Sequence, residues 1–271
     1  MNKMQKALWE LSEMDELAAQ ASPIHSLSPT AKLLSTIAYI LAAVSFGKYQ
    51  LSQLSVLLLW PVLLFQISGI PVRTCFYKLR IVLPLVMAVG LFNPFFDRAP
   101  MLYLGSLAVS GGVISMLTLM LKGVLCLMAS FLLMATTPID SLCASLRKLH
   151  VPGLLVTLLL LTYRYVGVMT EELAIMTDAY HLRAPGQKGI HISAWGSFLG
   201  QLLLRSMDRA STVYESMLLR GYSGDYRYMR EALAVRGQDI AYGLFWLCVI
   251  VLFRVYPVIL IIGNLAGGMF A

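Results

Sequence analysis

The sequence predicts an all-α, polytopic membrane protein with about five transmembrane helices and a cytosolic or interfacial helical module. Three observations lead to this fold class. Hydrophobic residues make up 58% of the 271 positions and charged residues only 13%, whereas soluble domains have roughly 45–50% and roughly 25%. The mean hydropathy is +0.74. The apolar residues also come in blocks of about 20, which is the length that crosses a hydrocarbon core of about 30 Å.

Five of these blocks are predicted to span the membrane. Between the second and the third, residues 71–80 carry three basic side chains and no acidic one, and the positive-inside bias places such a loop in the cytosol. The amino terminus is then expected to be cytosolic as well. Residues 1–30 mix charges of both signs and show no signal-peptide core, so the mature chain is expected to keep its start. The five predicted spans cover about residues 31–50, 51–70, 81–96, 110–135 and 239–262.

A further apolar run, residues 151–169, is predicted to pack at the cytosolic face, with a sixth span as the alternative. If it crossed, the arginine-rich segment 171–238 would lie outside, against the positive-inside bias. The run also contains Arg164, and an arginine at a bilayer centre costs roughly 2.5–3.5 kcal/mol on insertion scales. Three segments are therefore predicted: 1–135 with four spans, 136–238 as a cytosolic module, and 239–271 with the last span.

Charge and cysteine usage exclude several functions. The net charge of +7 arises from basic residues between the apolar blocks, so nucleic acid is not an expected partner. No GxxxxGK[ST] loop is present for ATP binding. The cysteines are widely separated, with no CxxC pair, and the histidines are scattered, so they indicate packing rather than a metal or disulfide site. The four cysteines are Cys75, Cys126, Cys143 and Cys248.

Two helical stretches of the predicted module end in an arginine. Arg183 is followed by Pro185-Gly186, and Arg220 is followed by Gly221, which can adopt a left-handed conformation past a helix end. Dipole compensation explains either arginine alone, because cations are favoured at helix C-termini. Two such ends in one module suggest a shared contact role. The second stretch places an apolar stripe at helical spacing, which predicts one packed face, at Leu203, Met207, Ala210, Tyr214 and Met217. Its other faces carry Arg205, Asp208, Arg209 and Glu215.

Three segments carry a family resemblance. Residues 22–34 read SPIHSLSPTAKLL, residues 145–152 read SLRKLHVP, and residues 204–222 contain LRSMDRA followed by YESMLLRGY. They resemble the T component of energy-coupling factor (ECF) transporters and, within that family, the cobalt-type CbiQ subgroup. The resemblance extends over nearly the whole chain.

This resemblance implies a membrane-embedded coupling subunit of an ATP-driven importer in the cell (cytoplasmic) membrane. Such a subunit transmits the motions of two ABC-type ATPase subunits to a membrane-embedded, substrate-binding S component, here for cobalt ion uptake. The T component is then not an enzyme and binds no cofactor, since ATP is used by its partners. Metal capture is expected to belong to a partner.

The family's T components carry two Ala-Arg-Gly-type motifs, each docking in a groove of one ATPase subunit. Arg183, with Ala184 and Gly186, resembles the first motif, and Arg220, with Leu219 and Gly221, resembles the second. Both depart from the consensus, since Leu182-Arg183-Ala184 and Leu219-Arg220-Gly221 stand where Ala-Arg-Gly is expected. The arginine is kept at each position.

Other functions remain open at this point. Nickel or a vitamin are alternative cargoes. A secondary transporter would show internal repeats and broken-helix ion sites, and a membrane enzyme would need clustered carboxylates or histidines, of which only Glu171-Glu172 is present. Lys122 and Arg254 lie inside predicted spans, where a charge either marks a transport pathway or pairs internally.

Overall fold

The computed structural model describes residues 13–20, 22–80, 82–93, 100–104, 107–187, 189–224 and 236–255. These ranges are helical apart from short connections and one two-stranded antiparallel hairpin, β1 (Pro100–Leu104) with β2 (Leu107–Ser110). The predicted all-α, polytopic membrane class is confirmed. Residues 13–18 are helical. The longer helices are α1 (Pro29–Ser45), α2 (Leu51–Val56), α3 (Leu59–Ser68), α4 (Val72–Leu79), α5 (Leu83–Leu91), α6 (Gly111–Thr136), α7 (Ile139–Lys148), α8 (Gly153–Arg183), α9 (Ile192–Leu219) and α10 (Gly237–Val255).

Four helical segments of the described chain are long and apolar enough to cross a membrane. They are Leu51–Ser68, Gly111–Thr136, Gly153–Arg183 and Gly237–Arg254. Three match predicted spans, although residues 256–262 of the last predicted span lie outside the described residues. The segment Gly153–Arg183 contains the run that we predicted to pack at the cytosolic face, so its length and composition also fit the alternative of a sixth span.

Two predicted spans are shorter than expected. Helix α1 has 17 residues. The predicted span 81–96 contains α5, which has only nine residues and rises roughly 14 Å. Residues 94–96 lie outside the described part. Pro84 stands in the first turn of α5, where proline is tolerated. A single helix running on from α4 would need a backbone N–H donor at this position, and proline has none.

The second predicted span is broken between α2 and α3 by a proline. Pro61 has no N–H to donate to the carbonyl of Leu57 four residues before it. The Leu57 oxygen instead accepts the hydroxyl of Tyr39 on α1 at 3.0 Å and the Trp60 N–H at 3.2 Å. Tyr39 is fully buried and stacks on Trp60 with ring centroids 4.2 Å apart. The Leu57 carbonyl, which Pro61 leaves without its helical donor, thus finds hydrogen-bond partners inside the protein, as an apolar environment requires.

Lys122 and Arg254, which lie inside predicted spans, form hydrogen bonds within the protein at the end of α1. The Lys122 ammonium donates to the carbonyl oxygens of Val44, at 3.0 Å, and of Phe46. Arg254 donates to the Ser45 carbonyl at 3.4 Å and lies over the Phe46 ring. The last carbonyls of a helix have no partner within that helix, and cations are favoured there. These two side chains therefore have a structural role in closing α1.

The chain divides into two compact units. One comprises Leu17–Pro138 with Ala232–Ala271, and the other comprises Met1–Glu16 with Ile139–Glu231. The first contains α1 to α6 and α10, and the second contains α7 to α9. The three-segment division predicted from the sequence stays a prediction.

Candidate functional site

The first arginine-ended helix is α8, whose last residue is Arg183. The chain leaves the helix through Pro185 and Gly186, and Gly186 has a positive φ of 90°. The Tyr180 hydroxyl donates to Gln187 Oε1 at 2.9 Å and accepts the His191 N–H at 3.2 Å. Tyr180 therefore ties both ends of the connecting loop to the last turn of α8 and fixes the place where Arg183 emerges.

The second arginine-ended helix, α9, closes with a Schellman motif. Gly221 has a φ of 82°. Its N–H bonds to the Leu218 carbonyl at 2.9 Å, and the Tyr222 N–H bonds to the Met217 carbonyl at 3.0 Å, which are the two hydrogen bonds that define this motif. The expected left-handed glycine is confirmed. Arg220 is the C-cap residue, so its direction is set by a backbone with fixed geometry.

Each arginine is preceded by a leucine that lies in the open. Leu182 is 84% exposed and Leu219 is 90% exposed. Arg183 and Arg220 are also exposed, and neither guanidinium makes a hydrogen bond or ion pair with another described residue. An exposed apolar side chain beside an unpaired guanidinium, repeated at two helix ends, is typical of a contact surface.

The two helices form an antiparallel hairpin that separates these ends. An ion pair joins Glu172 on α8 to Arg205 on α9. At about 1.5 Å per residue, the stretches from Glu172 to Arg183 and from Arg205 to Arg220 run in opposite directions and add up to on the order of 40 Å. The structure therefore does not bring Arg183 and Arg220 together.

The remaining predicted site residues fall into two groups. Ala184 and Gly186 lie in the turn after α8. Of the charged residues on α9, Arg205 forms an ion pair with Glu172. One of the two adjacent carboxylates, Glu171 and Glu172, therefore has a partner within the protein. Asp208, Arg209 and Glu215 are exposed. Their role in coupling stays a prediction.

The apolar stripe predicted on α9 is only partly packed. Ala210, Tyr214 and Met217 line a cavity beside α8, whereas Leu203 and Met207 are 61% and 59% exposed. The expectation of one continuous packed face is therefore wrong. The residues of α9 that face α8 are instead Ser206, Ala210, Val213 and Met217. The face turned toward α8 is thus shifted around the helix by about one residue from the predicted stripe.

A buried polar cluster lies in the other unit, and its members Lys32 and His25 belong to segment 22–34, which resembles the family. Lys32, which is 4% exposed, donates to the Thr136 carbonyl at the end of α6 at 2.8 Å. Asp239 Oδ1 accepts the Ser28 N–H at 2.8 Å, and Asp239 Oδ2 accepts the Arg236 N–H at 2.8 Å. The carboxylate thus lies at the N-terminal ends of α1 and α10, and the ammonium lies at the C-terminal end of α6, as the helix dipoles favour.

His25 completes this cluster. Its Nε2 lies 3.1 Å from the Leu17 carbonyl and 3.3 Å from the Ala135 carbonyl, and its Nδ1 lies 2.7 Å from Ser22 Oγ. Because carbonyls only accept, Nε2 carries the proton and Nδ1 accepts from the serine. Burial lowers the pKa of His25, and its carbonyl hydrogen bonds oppose that shift only in part. The neutral ring therefore joins the segment before α1 to the end of α6.

Metal-ligand and cysteine chemistry adds no further site in the described chain. Groups of three or more His, Cys, Asp or Glu side chains suited to a metal ion do not occur among these residues. All four cysteines are free thiols, and Cys75 and Cys143 are buried in packing positions.

Comparison with known proteins identifies the family. The family model for the cobalt transport protein CbiQ matches residues 20–231. Among curated proteins, the cobalt transport protein CbiQ of Rhodobacter capsulatus is 34% identical over 36% of this chain and 40% of its own length. The nickel permease LarQ of Lactiplantibacillus plantarum is 30% identical over 41% of this chain and 43% of its own length.

An uncharacterised protein of Methanocaldococcus jannaschii is 28% identical over 49% of this chain and 46% of its own length. The matching stretch thus spans less than half the length of each of these three relatives. The family match itself covers most of the chain and includes His25, Lys32 and both arginine-ended helices. The chain belongs to the CbiQ cobalt transport protein family.

Proposed function

We propose that this chain is the transmembrane coupling subunit of an ECF-type ABC importer. It transmits the motions of two ATPase subunits to a membrane-embedded, substrate-binding S component. The observation that carries the proposal is the pair of helix ends at which an exposed leucine and an unpaired arginine stand together, Leu182-Arg183 and Leu219-Arg220.

The chemistry of these ends suits docking on a protein groove. A guanidinium offers five donors in a fixed fork that matches carboxylates and carbonyl-rich helix ends, which a lysine cannot reproduce. The leucine where the family has alanine adds apolar area beside the fork, and its burial on docking strengthens the contact. The departure from the consensus therefore enlarges the docking surface.

The separation of the two ends supports two partners. Ends that lie on the order of 40 Å apart along the hairpin do not fit one small groove, but they suit one contact on each of two ATPase subunits. The ion pair of Glu172 with Arg205 lies between them. In this proposal it holds the hairpin together, so that a motion at one end is transmitted to the other.

The membrane part receives that motion as a connected group of helices. Lys32, Asp239 and His25 join the ends of α1, α6 and α10 through buried hydrogen bonds. In the cell (cytoplasmic) membrane, a cytosolic amino terminus puts the arginine-rich hairpin on the ATPase side. The chain itself is proposed to be non-catalytic and to bind no nucleotide, with ATP hydrolysed by the partner subunits.

The proposed cargo is the cobalt ion, with nickel as the second candidate. The family name supports cobalt. Nickel is favoured by one specific observation, the 30% identity to a nickel permease. Uptake of radioactive cobalt and nickel by cells that express the complete complex separates the two.

The experiment that tests the coupling role is charge reversal of both arginines. Cells expressing the complex with Arg183→Glu and Arg220→Glu should take up neither metal above background, and the ATPase subunits should no longer co-purify with this chain. A matched control is Arg73→Glu, which changes an exposed arginine on α4. Uptake and assembly in the double variant at the level of the unchanged complex would rule the proposal out.

A further inference from the structure

Two cavities adjoin each other between α8 and α9. One has a volume of about 530 Å³ and the other about 420 Å³. They share a wall, so they are neighbouring compartments of one cleft. The residues that line both are Leu161, Tyr165, Val213, Met217 and Tyr222.

The larger compartment is cationic. Arg164 and Arg220 both line it, together with the hydroxyl-bearing residues Tyr165, Ser216, Tyr222 and Ser223, and no acidic residue occurs among the described residues of its lining. Neither guanidinium is paired with a described residue. Arg164 also stands in an otherwise apolar stretch of α8. Among the described residues, no anion balances the two guanidinium charges of this compartment.

The smaller compartment is mainly apolar. Leu154, Leu158 and Met169 of α8 face Ala210 and Val213 of α9 across it. Arg209 is the only charged residue in the described part of its lining. A cavity with such walls favours a hydrocarbon chain, because the chain removes apolar surface from water and gains dispersion contacts.

We propose that this cleft binds an anionic phospholipid from the surrounding bilayer. The headgroup phosphate lies between Arg164 and Arg220, since guanidinium forks bind phosphate through paired charge-assisted hydrogen bonds. One acyl chain occupies the apolar compartment. A free phosphate would fill only the first compartment. A zwitterionic lipid such as phosphatidylcholine offers the same phosphate, but it brings a quaternary ammonium beside the two arginines, and the repulsion between these like charges weakens its binding. The proposal rests on the cleft and not on ATPase docking. Because Arg220 cannot hold a phosphate and an ATPase groove at the same time, the lipid occupies the cleft only while no ATPase subunit is docked at Arg220.

Retention of lipid by the full-length chain tests the proposal without any ATPase subunit. The chain is purified in a neutral detergent and titrated with either phosphatidylglycerol or phosphatidylcholine, and native mass spectrometry measures how many lipids stay bound. The unchanged chain should retain one phosphatidylglycerol at lipid concentrations where phosphatidylcholine is lost. Arg164→Gln should weaken that retention by about tenfold, as expected for the loss of a charge-assisted contact.

Three further variants locate the headgroup and the chain. Arg183→Gln removes an exposed helix-end arginine outside the cleft and should retain lipid like the unchanged protein. Ala210→Phe fills the apolar compartment while keeping both arginines, and it should weaken retention as well. Should Arg164→Gln not fold, Arg164→Lys keeps the charge without the fork and should give intermediate retention.

Several results would overturn the proposal. Unchanged retention in Arg164→Gln would show that Arg164 does not hold the headgroup. Equal retention of phosphatidylcholine and phosphatidylglycerol would show that the cleft does not select an anionic lipid. Unchanged retention in Ala210→Phe, or loss of lipid to inorganic phosphate at equal concentration, would reduce it to a small-anion site. Loss of ATPase docking in other experiments would leave these measurements unaffected, so the two proposals can fail separately.

Discussion

Lys32 on α1 donates a 2.8 Å hydrogen bond to the backbone oxygen of Thr136, the last residue of α6. Lys122 on α6 in turn donates to Val44 near the end of α1. The two helices are thus antiparallel, and each supplies a lysine to the carbonyls that the other leaves open. In an apolar environment such carbonyls require a partner from elsewhere in the protein.

Replacing Lys32 with Met should destabilise the chain by about 1–3 kcal/mol, because the buried Thr136 carbonyl loses its donor. Thermal unfolding of the purified chain in detergent measures this effect. Arg73→Met, at an exposed position of α4, is the matched control and should change stability by less than about 0.5 kcal/mol. Equal melting temperatures for the two variants would show that the Lys32 contact contributes nothing.

The Tyr39 hydroxyl should matter only while Pro61 is present. Tyr39→Phe leaves the Leu57 oxygen with a weaker set of donors and should cost about 0.5–1.5 kcal/mol. Pro61→Ala restores an N–H four residues after Leu57, so Tyr39→Phe should cost less in that background. A double-mutant cycle on thermal stability gives the coupling energy. Strictly additive effects would contradict the explanation of the break between α2 and α3.

The positions of the arginine-ended helices were predictable from local signals, whereas the tertiary contacts were not. Pro185, Gly186 and Gly221 determine helix ends through their own backbone chemistry, so Arg183 and Arg220 lie where expected. The Lys32 contact with Thr136 depends on the pairing of helices far apart in the sequence. The sequence shows lysines near the ends of apolar stretches. It does not show which backbone carbonyls they contact, because that depends on how the helices pack.

Length was the weaker part of the fold prediction. Hydropathy alone extends the third span over residues 81–96, whereas α5 begins beside Pro84 and ends at Leu91 within the described chain. Pro61 was a comparable signal within the second span. The prediction of a packed stripe on α9 was wrong for a different reason. The position of the antiparallel helix α8 determines which face of α9 is covered, and Leu203 and Met207 lie outside that face.

Gly221→Ala should loosen the end of α9, since a residue with a Cβ pays about 1–2 kcal/mol in the left-handed conformation. No neighbouring atom lies within 4 Å of an added Cβ there, so the cost is one of backbone conformation alone. Amide hydrogen exchange at Gly221 and Tyr222 should become roughly 5–30-fold faster. Gly200→Ala, in the open interior of the same helix, should instead stabilise α9. Unaltered exchange in Gly221→Ala would contradict the Schellman closure.

Stability should fall as the pH drops below the ordinary histidine pKa of about 6.5. Burial lowers the pKa of His25, so below that pH the unfolded chain binds a proton that the folded chain does not. The contribution of neutral His25 is therefore fully present above about pH 6.5 and is lost as the pH falls toward its lower folded-state pKa.

Melting temperatures measured between pH 5 and pH 8 test this dependence. His25→Asn should flatten the curve, whereas His181→Asn, at an exposed position of α8, should keep the slope of the unchanged chain. Curves of equal slope for all three proteins would show that His25 does not control the acid sensitivity.

The most direct test of the central claim is the number of ATPase subunits that each arginine retains. The complete complex is purified through a tag on this chain, and mass photometry measures its composition for the unchanged protein, Arg183→Glu and Arg220→Glu. Because the two ends lie on the order of 40 Å apart, the account predicts that each single variant loses one of two ATPase contacts and that the double variant loses both. Retention of both ATPase subunits by the double variant would contradict it.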